Sequence, residues 1–98
     1  MNSVYRLQGT GFEWDEDKSR GNFEKHGVAF EEAAEVFFDP FYQTGDASVD
    51  GNEARDFIAG YSLSQRLLLV VYTERDEQTR IISARPATRA ERKVYEEA

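Results

Sequence analysis

The chain has no cysteine, one histidine and two prolines among its 98 residues. Without cysteine, it has no disulfide, no thiolate metal site and no cysteine nucleophile. A single histidine argues against a histidine-rich zinc site. No apolar run reaches the length of a membrane span, and Met1 to Gly9 lacks the apolar segment of a signal peptide. These absences predict a cytoplasmic protein that binds no cofactor or metal and does not associate with a membrane.

Positive charge is also scarce, because 12 Lys and Arg residues stand against 19 Asp and Glu residues, for a net charge of −7. Nucleic-acid-binding proteins usually carry basic surfaces. The shortage is uneven, however. Residues 1–53 hold 4 basic and 12 acidic side chains, a net −8, whereas residues 54–98 hold 8 and 7, a net +1. The second half can therefore present a local basic patch, while the acidic half has the composition of a solvated surface.

The strongest structural pattern lies between residues 66 and 87. Leu67 to Tyr72 is an unbroken apolar run typical of a central strand, and Ile81 to Ala84 is a second, shorter run that Pro86 ends. The polar stretch between them is longer than a two-residue turn, so some of its residues should extend the strands. We predict an antiparallel hairpin. Arginines bracket it, and guanidinium groups on a rigid strand pair suit phosphate binding: Arg66, Arg75, Arg80 and Arg85.

The other segments also carry local signals. Residues 11–14 alternate as in a short strand, and Asp15 is placed to cap a helix that runs to His26 and stops at Gly27. A second helix is predicted from Phe30 to Phe38, strands at 41–45 and 55–61, and a last helix at 89–97 behind a capping box of Thr88 and Glu91. Residues 1–10 form a flexible lead-in or an edge strand.

Together these signals predict one α+β domain over residues 1–98. It has two N-terminal helices, a mostly antiparallel sheet of about four strands and a short C-terminal helix.

An ordered set of residues resembles the BrnT family of type II toxins, over nearly everything after residue 11. Each fragment alone is weak, but the combination is specific. The fragments are Phe12-x-Trp14-Asp15-x-x-Lys18-x-x-x-Asn22-x-x-Lys25-His26-Gly27-Val28, Phe30-Glu31-Glu32-Ala33, Val36-Phe37-x-Asp39-Pro40, Glu53-x-Arg55, Val71-Tyr72-Thr73-x-Arg75 and Arg80-Ile81-Ile82-Ser83-Ala84-Arg85-x-Ala87, with Glu91 and Tyr95.

The resemblance implies a fold similar to RelE-type ribonucleases and an RNA-cleaving activity that arrests translation. It also implies a BrnA-like antitoxin partner. Operator DNA would be bound only through the DNA-binding module of that antitoxin.

Metal-free RNA cleavage needs a proton acceptor, a proton donor and cations for the charge on phosphorus. Histidine is the side chain whose charge change falls near neutral pH, which makes His26 the candidate for proton transfer. Alone, a histidine beside Gly27 is as easily a helix-end residue, and only the family resemblance favours catalysis. Lys25 is adjacent to it. Glu53 is an alternative base, a residue that orients Arg55, or simply a solvated loop carboxylate.

Arginines are the candidates for phosphate contacts. Arg55, Arg75 and Arg85 join the predicted catalytic set, and Lys18, Arg66 and Arg80 the predicted RNA-binding set. Arg80 and Arg85 are five positions apart, so in a regular strand they point to opposite faces. This favours Arg85 for the site, unless a bulge or the strand end re-aims one of the two.

Two rival interpretations remain. Asp15, Glu16 and Asp17 could bind Mg²⁺, but consecutive residues splay around a helix start. The stronger rival is a catalytically inactive acidic interaction module of the same fold. Growth arrest on expression would distinguish a toxin from that module.

Overall fold

The computed structural model describes residues 1–48 and 54–98. In this part of the chain it contains six strands, three α-helices and one short 3-10 helix. The strands are β1 (Asn2–Leu7), β2 (Thr10–Asp15), β3 (Gln43–Asp46), β4 (Asp56–Tyr61), β5 (Leu67–Arg75) and β6 (Gln78–Pro86). The α-helices are α1 (Glu16–His26), α2 (Phe30–Glu35) and α3 (Arg89–Glu97), and the 3-10 helix, Val36–Phe38, continues α2.

The strands form one mixed sheet in the order β1-β2-β6-β5-β4-β3. All neighbours are antiparallel except β2 and β6, which run parallel over Phe12↔Thr79 and Glu13↔Arg80. One face of the sheet carries the buried core side chains, and α1 and α2 cover it. The core cluster includes Phe12, Ile58, Leu68, Val70, Ile81 and Ala84 from the strands and Phe30, Ala33 and Ala34 from α2.

The prediction of an α+β fold is confirmed, but the strand count of about four is wrong. Residues 2–7 form an edge strand paired with β2, one of the two alternatives predicted for residues 1–10, and the strand predicted at 41–45 is present as β3 at the other edge, paired with β4. Two strands precede the helices, so the predicted order with the helices first is also wrong. The second helix is shorter than predicted, since its last turn tightens into the 3-10 helix. The predicted bounds of α1 and α3 are confirmed, with Asp15 and the Thr88–Glu91 capping box at their starts.

The central hairpin has the predicted topology, with a tight turn and one irregularity. Its turn is Asp76–Glu77, and both residues have positive φ, 52° and 63°, as a two-residue hairpin turn requires. The polar residues on either side extend the strands. Val71 pairs with Ser83 but Tyr72 pairs with Ile81, so Ile82 is an extra residue in β6. This β-bulge changes which way the residues before it point.

The buried side chain of Asn22 ties α1 to the sheet. Its amide nitrogen donates to the carbonyls of Ala84 (2.8 Å) and Val28 (3.0 Å), and its oxygen accepts from Ala84 N (3.1 Å). The pairing of β2 with β6 ends at Arg80, so this side of β6 has no strand neighbour at Ala84. Asn22 therefore supplies hydrogen bonds that a strand would otherwise make.

We expect Asn22→Leu to lower the free energy of unfolding by about 3 kcal/mol, because it leaves buried backbone groups of Ala84 without partners. Denaturant unfolding measures this effect. The control is Arg20→Leu, at an exposed position of the same helix, where we expect a change below about 0.5 kcal/mol. Equal losses in the two variants would contradict a specific role for the Asn22 amide.

No helix in the described residues combines the length and apolar character needed to cross a membrane.

Candidate RNA-binding face

The sheet face opposite α1 and α2, called here the open face, is half-exposed and carries polar and charged side chains. It can be followed in rows across the strands. One row runs Phe57–Val71–Ser83 and the next Ala59–Leu69–Arg85. A third row runs Thr73–Arg80–Glu13. The helix α3 lies over part of this face.

The bulge in β6 places Arg80 and Arg85 on the same face. Arg80 pairs with Thr73 and Arg85 with Leu69, and these two partners share one face of the regular strand β5. The odd sequence separation is absorbed by the extra residue Ile82. The sequence favours Arg85 over Arg80 only if β6 is a regular strand. Because β6 contains a bulge, that reason for excluding Arg80 does not apply.

Two more arginines extend this arrangement. Alternation along β5 puts Arg75 on the open face at its exposed end, and alternation through β4 puts Arg55 there too. The backbone of Arg55 is held in place, because Ala47 N donates to its carbonyl (2.8 Å) and its own amide donates to Ser48 Oγ (3.0 Å). Among the described residues, its side-chain Nε is buried without a hydrogen-bond partner. Four of the arginines that the sequence predicts as phosphate contacts therefore lie on the open face: Arg55, Arg75, Arg80 and Arg85.

Two of these arginines form ion pairs with carboxylates. Arg80 Nη1 lies 3.3 Å from Glu13 Oε2, and its Nη2 donates to Asn2 Oδ1 at 3.3 Å. Arg85 forms a two-pronged pair with Glu91 of α3, at 2.7 and 2.8 Å. This guanidinium holds the pKa of Glu91 at about 2, with help from the amide of Thr88. A two-pronged carboxylate occupies the same geometry that a phosphate would use.

Lys25 and His26 lie in the helical layer, in the last turn of α1. Lys25 is exposed and His26 half-buried, and neither side chain makes a hydrogen bond or ion pair with the described residues. The helix is capped by Gly27, whose φ is 69° and whose N–H donates to Phe23 O. His26 is therefore not needed as the cap. The structure separates the predicted set into a helical group and an open-face group.

Arg66 lies on the helical side and is occupied by structural contacts. Its Nη2 donates to Gly27 O at 3.0 Å, and its Nε donates to Glu32 Oε2 at 3.0 Å. Glu32 also accepts from the hydroxyls of Ser62 and Ser64. The Arg66 guanidinium lowers the pKa of Glu32 to about 2. These contacts make Arg66 a tie between α1, α2 and the start of β5.

The remaining predicted residues lie elsewhere. Lys18 is exposed in the first turn of α1, where its backbone amide donates to the capping carboxylate of Asp15 at 3.1 Å. Glu53 falls outside the described residues. Among the described residues, no group of three His, Cys, Asp or Glu side chains is placed to share a metal ion.

Sequence reasoning missed the part that acids play on the open face. Glu13 and Glu91 partner Arg80 and Arg85, yet Glu13 was noted only as the polar half of an alternating strand. For Glu91, the sequence predicts a helix cap and a place in the family pattern, with no link to Arg85. The parallel pairing of β2 with β6, which brings Glu13 to Arg80, has no signal in local sequence.

Comparisons with known proteins identify the family and the fold. A family model described as the ribonuclease toxin BrnT of type II toxin-antitoxin systems matches residues 14–91. The crystal structure of the Brucella abortus ribonuclease toxin BrnT matches with a TM-score of 0.61 at 22% sequence identity, and the match covers 78% of this chain and 94% of that one. No curated protein matches the chain.

The structural match shows that this chain has a fold similar to that of BrnT. The six-stranded mixed sheet differs from the four-stranded RelE-like arrangement that was predicted. The family match spans most of the chain and includes the four arginines of the open face. The chain belongs to the BrnT family, the ribonuclease toxins of type II toxin-antitoxin systems.

Proposed function

We propose that this chain is a metal-independent endoribonuclease that binds single-stranded RNA on its open face and arrests translation by cutting it. The observation that carries the proposal is the bulge in β6, which gathers Arg80 and Arg85 on one face with Arg55 and Arg75. Arginine binds phosphate through two parallel hydrogen bonds, and its charge stabilises the extra negative charge of the transition state.

The spacing of the arginines suits a strand of RNA rather than a single anion. Arg80 and Arg85 lie opposite β5 residues four positions apart, or roughly 14 Å along the sheet. Extending the β4–β5 register by one residue beyond Asp56↔Tyr72 places Arg55 beside Thr73, whose partner in β6 is Arg80, so the two arginines are two strand spacings or about 10 Å apart. One phosphate cannot contact all of these groups, so the face fits several consecutive phosphates.

The proton-transfer group in this proposal is His26. It lies in the helical layer but near the end of the sheet where β6 exits. Asn22, one turn before His26, binds Ala84, the residue before Arg85. Arg66, at the start of β5, binds Gly27, the residue after His26. An RNA chain that passes over this sheet end from the open face reaches Arg85 and His26 in succession, with Lys25 beside them.

The groups at this site support a mechanism of cleavage without a metal. The 2′-hydroxyl attacks the adjacent phosphorus, one group takes its proton and another protonates the 5′-oxygen that leaves. Arginines supply the positive charge that a metal ion would otherwise contribute. The products are a 2′,3′-cyclic phosphate and a free 5′-hydroxyl.

We expect purified protein to cleave RNA at an unchanged rate in excess chelator and to leave 2′,3′-cyclic phosphate ends. Gel analysis of end-labelled RNA, with phosphatase treatment to identify the ends, measures both features. The control is a Mg²⁺-dependent nuclease in the same buffer, which the chelator must silence. Activity that disappears in chelator and returns with Mg²⁺ would contradict the metal-independent mechanism and favour a carboxylate site.

We also propose a BrnA-like antitoxin as the partner, because the family is a toxin-antitoxin family. The charge distribution offers two routes for neutralisation: acidic residues that cover the arginines, or basic residues that bind the acidic first half and block RNA sterically. We expect the complex to bind operator DNA through the antitoxin, and the 98-residue chain alone to show no such binding at physiological salt. An electrophoretic shift produced by the isolated chain would contradict this assignment.

A further inference from the structure

The helix α3 is amphipathic but buries none of its residues. Ala90 and Val94 line a space beside the sheet, yet Val94 remains 65% exposed. The helix is held by polar contacts near its two ends and by the edge-on contact of the Tyr95 and Tyr61 rings. Arg85 binds Glu91 near its start, and the Tyr95 hydroxyl donates to Asp39 near its end. Gln43 Nε2 also donates to Tyr95 O at 3.2 Å.

These attachments hold a cleft open between α3 and the open face. Its volume is about 400 Å³. The sheet side consists of Phe57, Ala59 and Leu69, and the helix side of Ala90, Glu91, Val94 and Tyr95. Gln43 and Thr44 contribute polar groups at the edge formed by β3. The walls are therefore mainly apolar, with two aromatic rings, Phe57 and Tyr95, and a few hydrogen-bonding groups.

We propose that this cleft is a nucleobase site, in which one base of the RNA lies against the ring of Phe57 while its phosphate reaches Arg85. This inference rests on the proposed function, and it identifies the place where the protein would bind a base of its RNA substrate. Single-stranded RNA is recognised chiefly by unstacked bases that lie on aromatic side chains. Base stacking tolerates any of the four bases, and side chains such as Gln43 and Thr44 can add a preference among them.

The position of the cleft favours a base over an apolar side chain of a partner protein. Arg85 pairs with Leu69 in the register of β5 and β6, so the arginine borders the cleft that Leu69 lines. The line of arginines continues beyond it to Arg80. A nucleotide in an RNA chain has an aromatic base that fits the apolar cleft and phosphates that can bind the arginines. An apolar side chain of a partner protein would fill the cleft but make no contact with the arginines.

Filling the cleft tests the proposal. Val94→Trp places an indole ring in the cleft from an exposed helix position, and Phe57→Leu removes the aromatic surface from the sheet side. The probe is a short single-stranded RNA with 2′-O-methyl groups, which cannot be cleaved, and its binding is measured by fluorescence anisotropy. We expect each variant to bind it about 5- to 150-fold more weakly than the parent. The control is Leu63→Trp, at a turn position that is 77% exposed, where we expect parental binding.

A probe without bases separates the base from the phosphates. We expect the parent to bind an abasic version of the same oligomer more weakly, and Val94→Trp to bind that abasic oligomer as well as the parent does. If both cleft variants bind the complete probe like the parent while RNA cleavage persists, the base site is overturned and the proposed function stands. Loss of antitoxin binding with RNA binding intact would likewise overturn it and assign the cleft to the partner. If the parent protein neither binds the probe nor cleaves RNA, the proposed function itself fails.

Discussion

Replacing Arg85 with alanine is expected to slow RNA cleavage by about 10²- to 10³-fold, the usual cost of removing one group that stabilises charge in a transition state. Among the arginines of the open face, Arg85 lies nearest the sheet end at which His26 also lies, and its guanidinium is held in a two-pronged pair with Glu91. The measurement is the single-turnover cleavage rate of a defined RNA. Arg85→Lys keeps the charge but loses the two-pronged geometry, so we expect it to restore only part of the rate.

The matched variant for Arg85 is Glu91→Gln, because either substitution breaks the same ion pair. Glutamine at this position preserves the capping box with Thr88. If Arg85 serves only to anchor α3, the two variants should lower cleavage equally. If it contacts phosphate, Arg85→Ala loses far more cleavage than Glu91→Gln, because the glutamine variant keeps the guanidinium that binds the phosphate. Equal losses would contradict the role proposed for Arg85.

Replacing His26 with glutamine is expected to slow cleavage by about 10²- to 10⁴-fold, the range for losing one proton-transfer group. Glutamine keeps a hydrogen-bonding side chain but does not transfer protons in this pH range. We expect the variant to fold, because the His26 side chain makes no hydrogen bond with the described residues and Gly27 already caps the helix. The cleavage rate and the melting temperature, measured on the same preparation, separate catalysis from stability.

The control for His26 is Glu24→Gln, an exposed position on the same helix where we expect a parental rate. A purely structural histidine gives the opposite pattern, since its loss would lower the melting temperature by a few degrees and leave the rate per folded molecule unchanged. A glutamine variant of His26 that binds RNA and cuts at the parental rate would remove it from the mechanism. Proton transfer would then pass to Glu53, and Lys25 and the arginines would act by positioning and charge.

Sequence alone predicted the features that depend on neighbouring residues. The ends of α1 and α3 follow from Asp15, Gly27 and Thr88, because caps bind backbone groups within one turn. The central hairpin follows from two apolar runs around a polar turn. The family was also recognisable from residues, since the motifs that carried the resemblance fall mostly within the stretch that the family model matches.

Tertiary structure decided which of the predicted site residues lie together. The parallel pairing of β2 with β6 joins residues 67 positions apart, and its partner choice depends on how the whole core packs. The bulge at Ile82 depends on the register of two strands at once, and it turns Arg80 to the side of Arg85. The same packing occupies Arg66 with Glu32 and Gly27 and separates His26 from the arginines by the thickness of the sheet. Local sequence reports which side chains are available, whereas long-range pairing decides which face each of them reaches.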